Sequence, residues 1–434
     1  MKIIQYLISG IFLFFLSSLL SAQQTTKQDT LRELWRRIDI LTQELERARL
    51  GTVAEAKYES RYGMGPAASS VYNLTDPGIS IAGYGEIIYE NFSRQQDDGF
   101  PSRKANTFDF LRHVTYLGFR FNDWLLFNAE IEFEHGKTAP GSPGSVSIEF
   151  GYIEAQLSPM FNIRAGMVLP PVGITNELHE PPTYHGVLRP ETEQRIIPTT
   201  WRTNGFGILG ETSKGLAYKL FVTESLNAAK FSSNGIRNGR QNGAKAIAED
   251  LGITGRLNYA GIPGLDFGGS FFLGNTGQTL VDSSGEDIDA LLKLFSLHFM
   301  FARNGFEFRG LYAQSRISDV TALNAELGLT GSASVGEAQH AFYVTAAYDI
   351  LPLIARSSTH YLAPFIQYEK LDTQKDVPTS FSRNPEMERS NFTLGLTYKP
   401  HPNVAFKMDY INRDNKANTN VDQFNLAVTY LFLW

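Results

Sequence analysis

The last eleven residues, Phe424-Asn-Leu-Ala-Val-Thr-Tyr-Leu-Phe-Leu-Trp434, put a large apolar or aromatic side chain at every second position and stop on an aromatic residue. Side chains of a strand alternate between faces, so Phe424, Leu426, Val428, Tyr430, Phe432 and Trp434 share one face and Asn425, Ala427 and Thr429 the other. The first face suits lipid. The second suits a watery lumen or a wall of packed side chains. A soluble sandwich strand alternates too, but it gives no reason to end on an exposed Trp, whereas membrane interfaces favour Trp and Tyr. The pattern predicts the closing strand of an outer-membrane β-barrel, with Tyr430, Phe432 and Trp434 as the insertion signal presented to the barrel-assembly machinery.

The opposite end agrees. Met1-Lys2 is followed by an uncharged stretch, Ile3 to Leu20, and then by Ser21-Ala22. This predicts a secretory signal peptide over 1–22, cleaved near Ala22, although Leu20 is bulkier than the small residue preferred there. The chain has no Cys, which excludes a lipid-anchored amino terminus and a disulfide framework. After the signal no uncharged apolar run approaches the roughly 20 residues a spanning helix requires. A barrel reconciles export with a modest mean hydropathy, because each strand has only one lipid-facing side. The net charge of -6 argues against nucleic acid as a partner, since that affinity rests on basic surfaces.

Residues 29–50 form a separate module. Leu31, Leu34, Ile38, Leu41, Leu45 and Ala48 fall at alternating spacings of three and four, with Arg and Glu filling most other positions. The heptads predict a short periplasmic coiled coil that joins protomers, with a lone amphipathic helix as the alternative. The stretch 51–77 then has linker composition, and the barrel is expected over 78–434.

In the hairpin around Asn122-Asp123, Leu117, Phe119, Phe121, Leu125, Phe127, Ala129, Ile131 and Phe133 share one face, opposite Arg120, Asn128, Glu130, Glu132 and Glu134. A second hairpin turns at Ser158-Pro-Met160. It directs Ile153, Ala155, Leu157, Phe161, Ile163, Ala165 and Met167 outward and Glu154, Gln156, Asn162 and Arg164 inward. A third sets Phe392, Leu394, Leu396, Tyr398, Val404, Phe406, Met408 and Tyr410 against Asn391, Thr393, Thr397, Lys407 and Asp409. A charge on the lipid side costs about 2 to 4 kcal/mol at mid-membrane, so this sorting points the charged face to the interior. Arg120, Glu130, Glu132, Glu154, Arg164, Lys407 and Asp409 are the candidate pore-lining residues.

Long polar or Gly/Pro-rich segments occur at 92–107, 135–145, 169–206, 227–249, 275–290, 315–339, 371–390 and 411–422. Eight long loops imply eight hairpins. The expected fold is therefore all-β, a transmembrane antiparallel barrel of about sixteen strands, with eighteen as the alternative. The 169–206 segment is the longest and most Pro-rich, and long loops tend to be functional. It is the candidate for a loop that folds inward and narrows the pore, with Glu177, His179, Glu180, Arg189, Arg195 and Arg202 setting ion preference. An external loop or a subunit contact is the alternative. His179, Glu180 and His185 are suitable metal donors, but their spacing across Pro181-Pro182 is no helical HExxH arrangement, so no metal and no other cofactor is expected. No Ser, His and Asp or Asn set stands out for catalysis, and no Gly-rich phosphate cradle occurs.

Phe150-Gly-Tyr-Ile-Glu-Ala-Gln-Leu-Ser-Pro-Met-Phe-Asn-Ile-Arg-Ala-Gly-Met-Val-Leu-Pro-Pro-Val-Gly173 resembles a stretch of the phosphate-selective porin O and P family, in which an Arg-x-Gly strand leads into a Pro-x-Gly loop. The resemblance implies a sixteen-stranded trimeric porin in a Gram-negative outer membrane. That family selects anions with basic residues, whereas Glu130, Glu132, Glu134 and Glu154 stand on the inner face here, so phosphate selectivity does not carry over. The expectation is a channel, not an enzyme, for passive diffusion of small hydrophilic solutes and ions. A solute-specific uptake porin for anions, organic acids or oligosaccharides is the alternative, and a barrel enzyme or adhesive surface protein comes after it.

Overall fold

The computed structural model describes Arg36 and residues 60–433. The chain divides into two compact units, Met1–Thr52 and Val53–Trp434, and everything below concerns the second. The expected signal peptide, the helix carrying Leu31, Leu34, Ile38, Leu41 and Leu45, and the terminal Trp434 lie outside the described residues.

Sixteen strands follow one another along the chain. They are β1 (Gly78–Phe92), β2 (Thr107–Arg120), β3 (Leu125–Glu134), β4 (Ser145–Ser158), β5 (Phe161–Val168), β6 (Thr203–Glu211), β7 (Leu216–Glu224) and β8 (Leu251–Ile262). The second half comprises β9 (Leu265–Gly274), β10 (Leu292–Arg303), β11 (Phe306–Ile317), β12 (Ala338–Tyr348), β13 (Tyr361–Asp376), β14 (Glu388–His401), β15 (Val404–Asn415) and β16 (Gln423–Leu433). Each pairs antiparallel with its sequence neighbours, and β1 closes on β16 from Ala82↔Leu433 to Phe92↔Gln423. Closure leaves no strand edge with unpaired backbone groups, which is the condition for spanning a bilayer with strands. The loops at 92–107 through 411–422 all lie at one rim. The other rim carries short turns, with one longer connection that holds the single-turn helix Leu351–Ile354.

The outer surface is apolar. Leu220, Ile253, Phe271, Phe295, Leu297, Val344, Leu394 and Met408 are among many large hydrophobics there that remain exposed. Bare in water, such a belt would be an aggregation surface; against acyl chains it supplies the anchoring. Their strand neighbours, such as Ser296, Thr393, Lys407 and Asn425, are buried on the inner side.

The interior is not a uniform column of water. Two segments fold into it and bury apolar surface against the wall. Val172, Ile174, Ile196, Ile197 and Trp201 of the 169–202 loop pack with Phe272, Leu294, Leu311 and Tyr343, the Trp201 and Phe272 rings lying 4.9 Å apart. Met64, Ala67, Ala68 and Val71 pack with Tyr84, Tyr116, Leu126, Phe150 and Tyr152. Linker composition predicts a connector over 51–77. Within its described part, Met64 to Val71 instead packs on the inner wall of the barrel.

Candidate constriction and vestibule

The loop between β5 and β6 spans 169–202, and six prolines (170, 171, 181, 182, 190 and 198) remove backbone donors from it, which disfavours strand pairing. Its own groups tie it together. Asn176 donates from Nδ2 to the carbonyls of Pro170 (2.7 Å) and Trp201 (3.0 Å) and accepts from the Trp201 amide at 2.6 Å, clamping the two ends. The buried Glu193, in the single-turn helix α1 (Thr192–Arg195), accepts from the amides of Ile174 (2.7 Å) and Thr175 (2.6 Å) and from the Tyr343 hydroxyl (2.6 Å). Gly173 makes this possible. Its φ is +75°, and a Cβ there would fall 2.7 Å from the Glu193 carboxylate.

Wall residues then hold the loop across the lumen. Lys407 on β15 donates to the carbonyls of Pro181 (2.6 Å) and Gly186 (3.0 Å), with its ammonium 4.1 Å from the centre of the Tyr184 ring. Asp409 accepts from the Val187 amide at 2.7 Å, and Glu369 on β13 accepts from the Thr192 amide at 2.7 Å. Arg309 reaches the Thr183 carbonyl at 2.8 Å, and Arg256 the Gly173 carbonyl at 2.7 Å. His185 lies 3.1 Å from Glu307, where burial pushes its imidazole below the ordinary value against the pull of that carboxylate.

The sequence-predicted loop residues fall into two sets. Glu177, His179, Glu180 and Arg202 are fixed to partners in the packed half. Glu177 pairs with Lys219 and lies 3.8 Å from Arg256. His179 lies 3.1 Å from Glu130, and Arg202 donates to Glu149 at 2.6 Å. Glu180 accepts from the amides of Ala67 (3.2 Å) and Ala68 (2.8 Å), which seats the amino-terminal segment. Burial pushes the Glu180 carboxyl up to about 7 despite those two amides.

Arg189 and Arg195 instead face a cavity of about 570 Å³ opening toward the long-loop rim. Its basic side chains are Lys104, Arg189, Arg195, Arg389 and Arg413, and its acidic ones are Glu90, Glu191, Glu369, Glu386 and Asp409. Glu191 is the hub, accepting from Arg389 (2.7 Å), Arg195 (3.3 Å) and Arg413 (3.5 Å). Burial alone would raise its carboxyl, but these three guanidinium groups overcome that and hold it at about 2. Beside it a second group is short of anions. Burial and neighbouring guanidinium groups push Arg237 down to about 9 and Arg240 down to about 10, so both stay cationic at neutral pH. Nε and Nη2 of Arg189 and Nη1 of Arg237 are buried with no hydrogen-bond partner.

All seven pore-lining candidates have side chains inside the barrel, each at most 9 % exposed. Arg164 and Glu154 pair at 2.7 Å and share the Tyr72 hydroxyl, while Glu132 pairs with Arg112 at 3.4 Å. Arg120 sits at the short-turn rim on Gln156. Of the seven, Asp409 also borders the vestibule.

No family model matches the chain. A protein of Aquifex aeolicus (strain VF5), itself described as uncharacterized, is 35% identical over 396 residues, covering 88% of this chain and 86% of that one. The chain belongs to the same family as that protein. Among solved structures, the outer-membrane channel DcaP of Acinetobacter baumannii superimposes with a TM-score of 0.52 at 12% identity, over 88% of this chain and all of that one. An anion-selective porin from Comamonas acidovorans gives 0.50 at 11% identity, over 83% of this chain and 100% of that one. The trimer form of OmpT, an outer-membrane protein of Vibrio cholerae, gives 0.50 at 10% identity, over 82% and 100%. At these identities the shared property is the fold, an outer-membrane-type barrel.

Residues that strand alternation did not single out include Lys104, Glu149, Arg237, Arg240, Arg389 and Arg413. Most stand in loops or at strand ends, where period-two patterning ends. Glu149 had a signal. Outward Val146 and Ile148 are followed by outward Ile153, an odd step that requires one extra residue, and β4 bulges opposite the Glu130/Ile131 junction.

Proposed function

We propose that this protein is a channel of a Gram-negative outer membrane, not an enzyme, that passes small hydrophilic solutes and ions by passive diffusion. The observation that carries this is the 169–202 loop drawn across a closed, lipid-facing barrel to floor a polar vestibule with charges of both signs. Solutes enter from the long-loop rim. Arg389 and Arg413 of β14 and β15 and Arg195 of the loop are interleaved with Glu369 and Asp409 of β13 and β15, a mixed-charge lining that admits polar solutes and disfavours apolar ones. Arg189, Arg195 and Arg202 of the loop act with Glu177, His179 and Glu180, the first two at the water-facing surface and the others as its supports. Arg120, Glu130, Glu132, Glu154, Arg164 and Lys407 hold the inner wall and the segments packed on it.

The basic side chains that line the vestibule, Lys104, Arg189, Arg195, Arg389 and Arg413, support a weak attraction for small anions. This is compatible with the likeness of 150–173 to phosphate-selective porins, but the carboxylates of the vestibule speak against a strict phosphate filter. The working assembly is a homotrimer in outer-membrane lipid, supported through the 29–50 helix and delivered by the barrel-assembly machinery, which reads Tyr430, Phe432 and Trp434.

Planar-bilayer recording tests the proposal. Ohmic, non-saturating conductance is expected, with a reversal potential in a KCl gradient that moves toward cation preference in Arg389→Ala/Arg413→Ala. A purified, folded trimer that never conducts would sink it.

A further inference from the structure

Three buried side chains away from the vestibule converge without completing their bonding. Glu130 projects inward from β3, and Glu149 is turned inward by the β4 bulge, which places it and Phe150 on the same side of the sheet. Bulges re-aim side chains in this way and gather next to sites. His179 descends from the loop onto the pair, its Nε2 being 3.1 Å from Glu130 Oε1 and 3.7 Å from Glu149 Oε2. One donor atom from each of the three lies within 4.8 Å of the others, and all three residues are buried.

Two features mark this as more than an ion pair. Oε2 of Glu130 and Oε2 of Glu149 are buried without a hydrogen-bond donor among the described residues, with the Glu132 carboxyl beside Glu149, an arrangement that is costly unless a cation or a shared proton offsets the negative charge. Arg202 meets Glu149 only through Oε1, at 2.6 Å, and leaves Oε2 without a bond. His179 is also held as a ligating imidazole is held: Nδ1 donates to the Asn176 carbonyl at 3.1 Å, which orients the ring and aims Nε2 at the two carboxylates. Asn176 is the clamp of the loop ends, so the orientation is built into the loop.

We propose that Glu130, Glu149 and His179 form a divalent transition-metal site of the zinc class that fastens the 169–202 loop to β3 and β4. One imidazole nitrogen and two carboxylates are borderline-to-hard donors that suit Zn²⁺ better than Ca²⁺ or Mg²⁺, which seek all-oxygen cages. The 3.1 Å between His179 Nε2 and Glu130 Oε1 is close to the separation of two ligands about 2 Å from one ion in a tetrahedral shell. The ion would displace a proton from the imidazole, take Glu130 through Oε1 and Glu149 through its orphan Oε2, and leave a fourth position to water. This goes beyond the channel reading and does not depend on it.

The test uses full-length protein refolded in detergent, once with a chelator and once with Zn²⁺, then desalted and assayed for metal by mass spectrometry. About one zinc per folded chain is expected. In Glu149→Gln, which keeps a carbonyl for Arg202, and in His179→Gln, affinity falls by at least about tenfold. His135→Gln, which alters the separate pair with Asp109, leaves binding unchanged. Should either variant misfold, Co²⁺ loaded into the unaltered protein gives an independent reading, and the intense visible bands of a tetrahedral nitrogen–oxygen shell are expected. Unaltered folded protein that takes up no zinc above the level of a chelator-treated control, undiminished binding in folded Glu149→Gln, or an octahedral Co²⁺ spectrum overturns the site.

Discussion

Replacing Glu193 by Ala is expected to release the 169–202 loop while leaving the barrel closed. The carboxylate is fully buried and satisfies three donors, the amides of Ile174 and Thr175 and the hydroxyl of Tyr343. Hydrogen bonds to a charged acceptor contribute about 1.5 to 3 kcal/mol each, and they are not additive once the loop can relax, so a loss of about 3 to 6 kcal/mol follows. At about 1.4 kcal/mol per tenfold, the undocked population of the loop rises by about two to four powers of ten. Glu193→Gln separates charge from shape, since its carbonyl still receives the two amides and its amide can donate to the Tyr343 oxygen. It should cost far less. The sixteen-strand ladder does not involve this side chain, so heat-modifiable migration in detergent stays as in the parent protein. The assays are single-channel recording and limited proteolysis within 169–202. Larger or noisier conductance together with new cleavage is expected for Ala and not for Gln. An Ala variant with the parent's conductance, noise and protease resistance would refute the assigned role.

Glu191 and Glu180 predict opposite responses to pH. Glu191 is depressed to about 2, so its contribution to loop docking is present above its ordinary value near 4.5 and is lost as pH falls toward 2; Glu191→Gln should flatten that acid limb of thermal stability. Glu180 is raised to about 7, so the amino-terminal segment is held most firmly at low pH and loosens as pH rises through 7. Hydrogen exchange at Ala67 and Ala68 that is insensitive to pH after correction for intrinsic rates would count against this. Gly65→Ala would set a Cβ 2.2 Å from the Glu180 carboxyl carbon, an overpacking cost of about 1 to 3 kcal/mol, to be seen as new proteolysis near residues 60–74 with the barrel intact. Leu394→Arg on the lipid face should destabilise folding into liposomes by about 2 to 4 kcal/mol. Equal unfolding midpoints for that variant and the parent in urea would contradict the lipid assignment.

Much of the fold was legible because barrel strands carry a local code. Phe392, Leu394, Phe406 and Met408 face out, and Asn391, Thr393, Lys407 and Asp409 face in, as alternation required. The count of sixteen followed from the eight long loops. Much of the interior arrangement was not legible. Glu130 and Glu154 were assigned to the inner face, yet nothing in their neighbourhood announces that one meets His179 and the other Arg164 and Tyr72. Alternatives stood open for the 169–206 segment, and the distant carbonyl, amide and carboxylate contacts of Lys407, Asp409 and Glu369 are what bring it inside.

Chain chemistry alone therefore settled which side meets lipid in the three hairpins and the last strand where alternation was read, because a charge in hydrocarbon costs several times thermal energy. What fills the barrel was decided by contacts between residues more than a hundred positions apart, Ala68 with Glu180 and Glu191 with Arg389 among them. Such pairs leave no periodic trace, since each partner satisfies only its own local geometry until closure of the barrel brings the two within bonding distance.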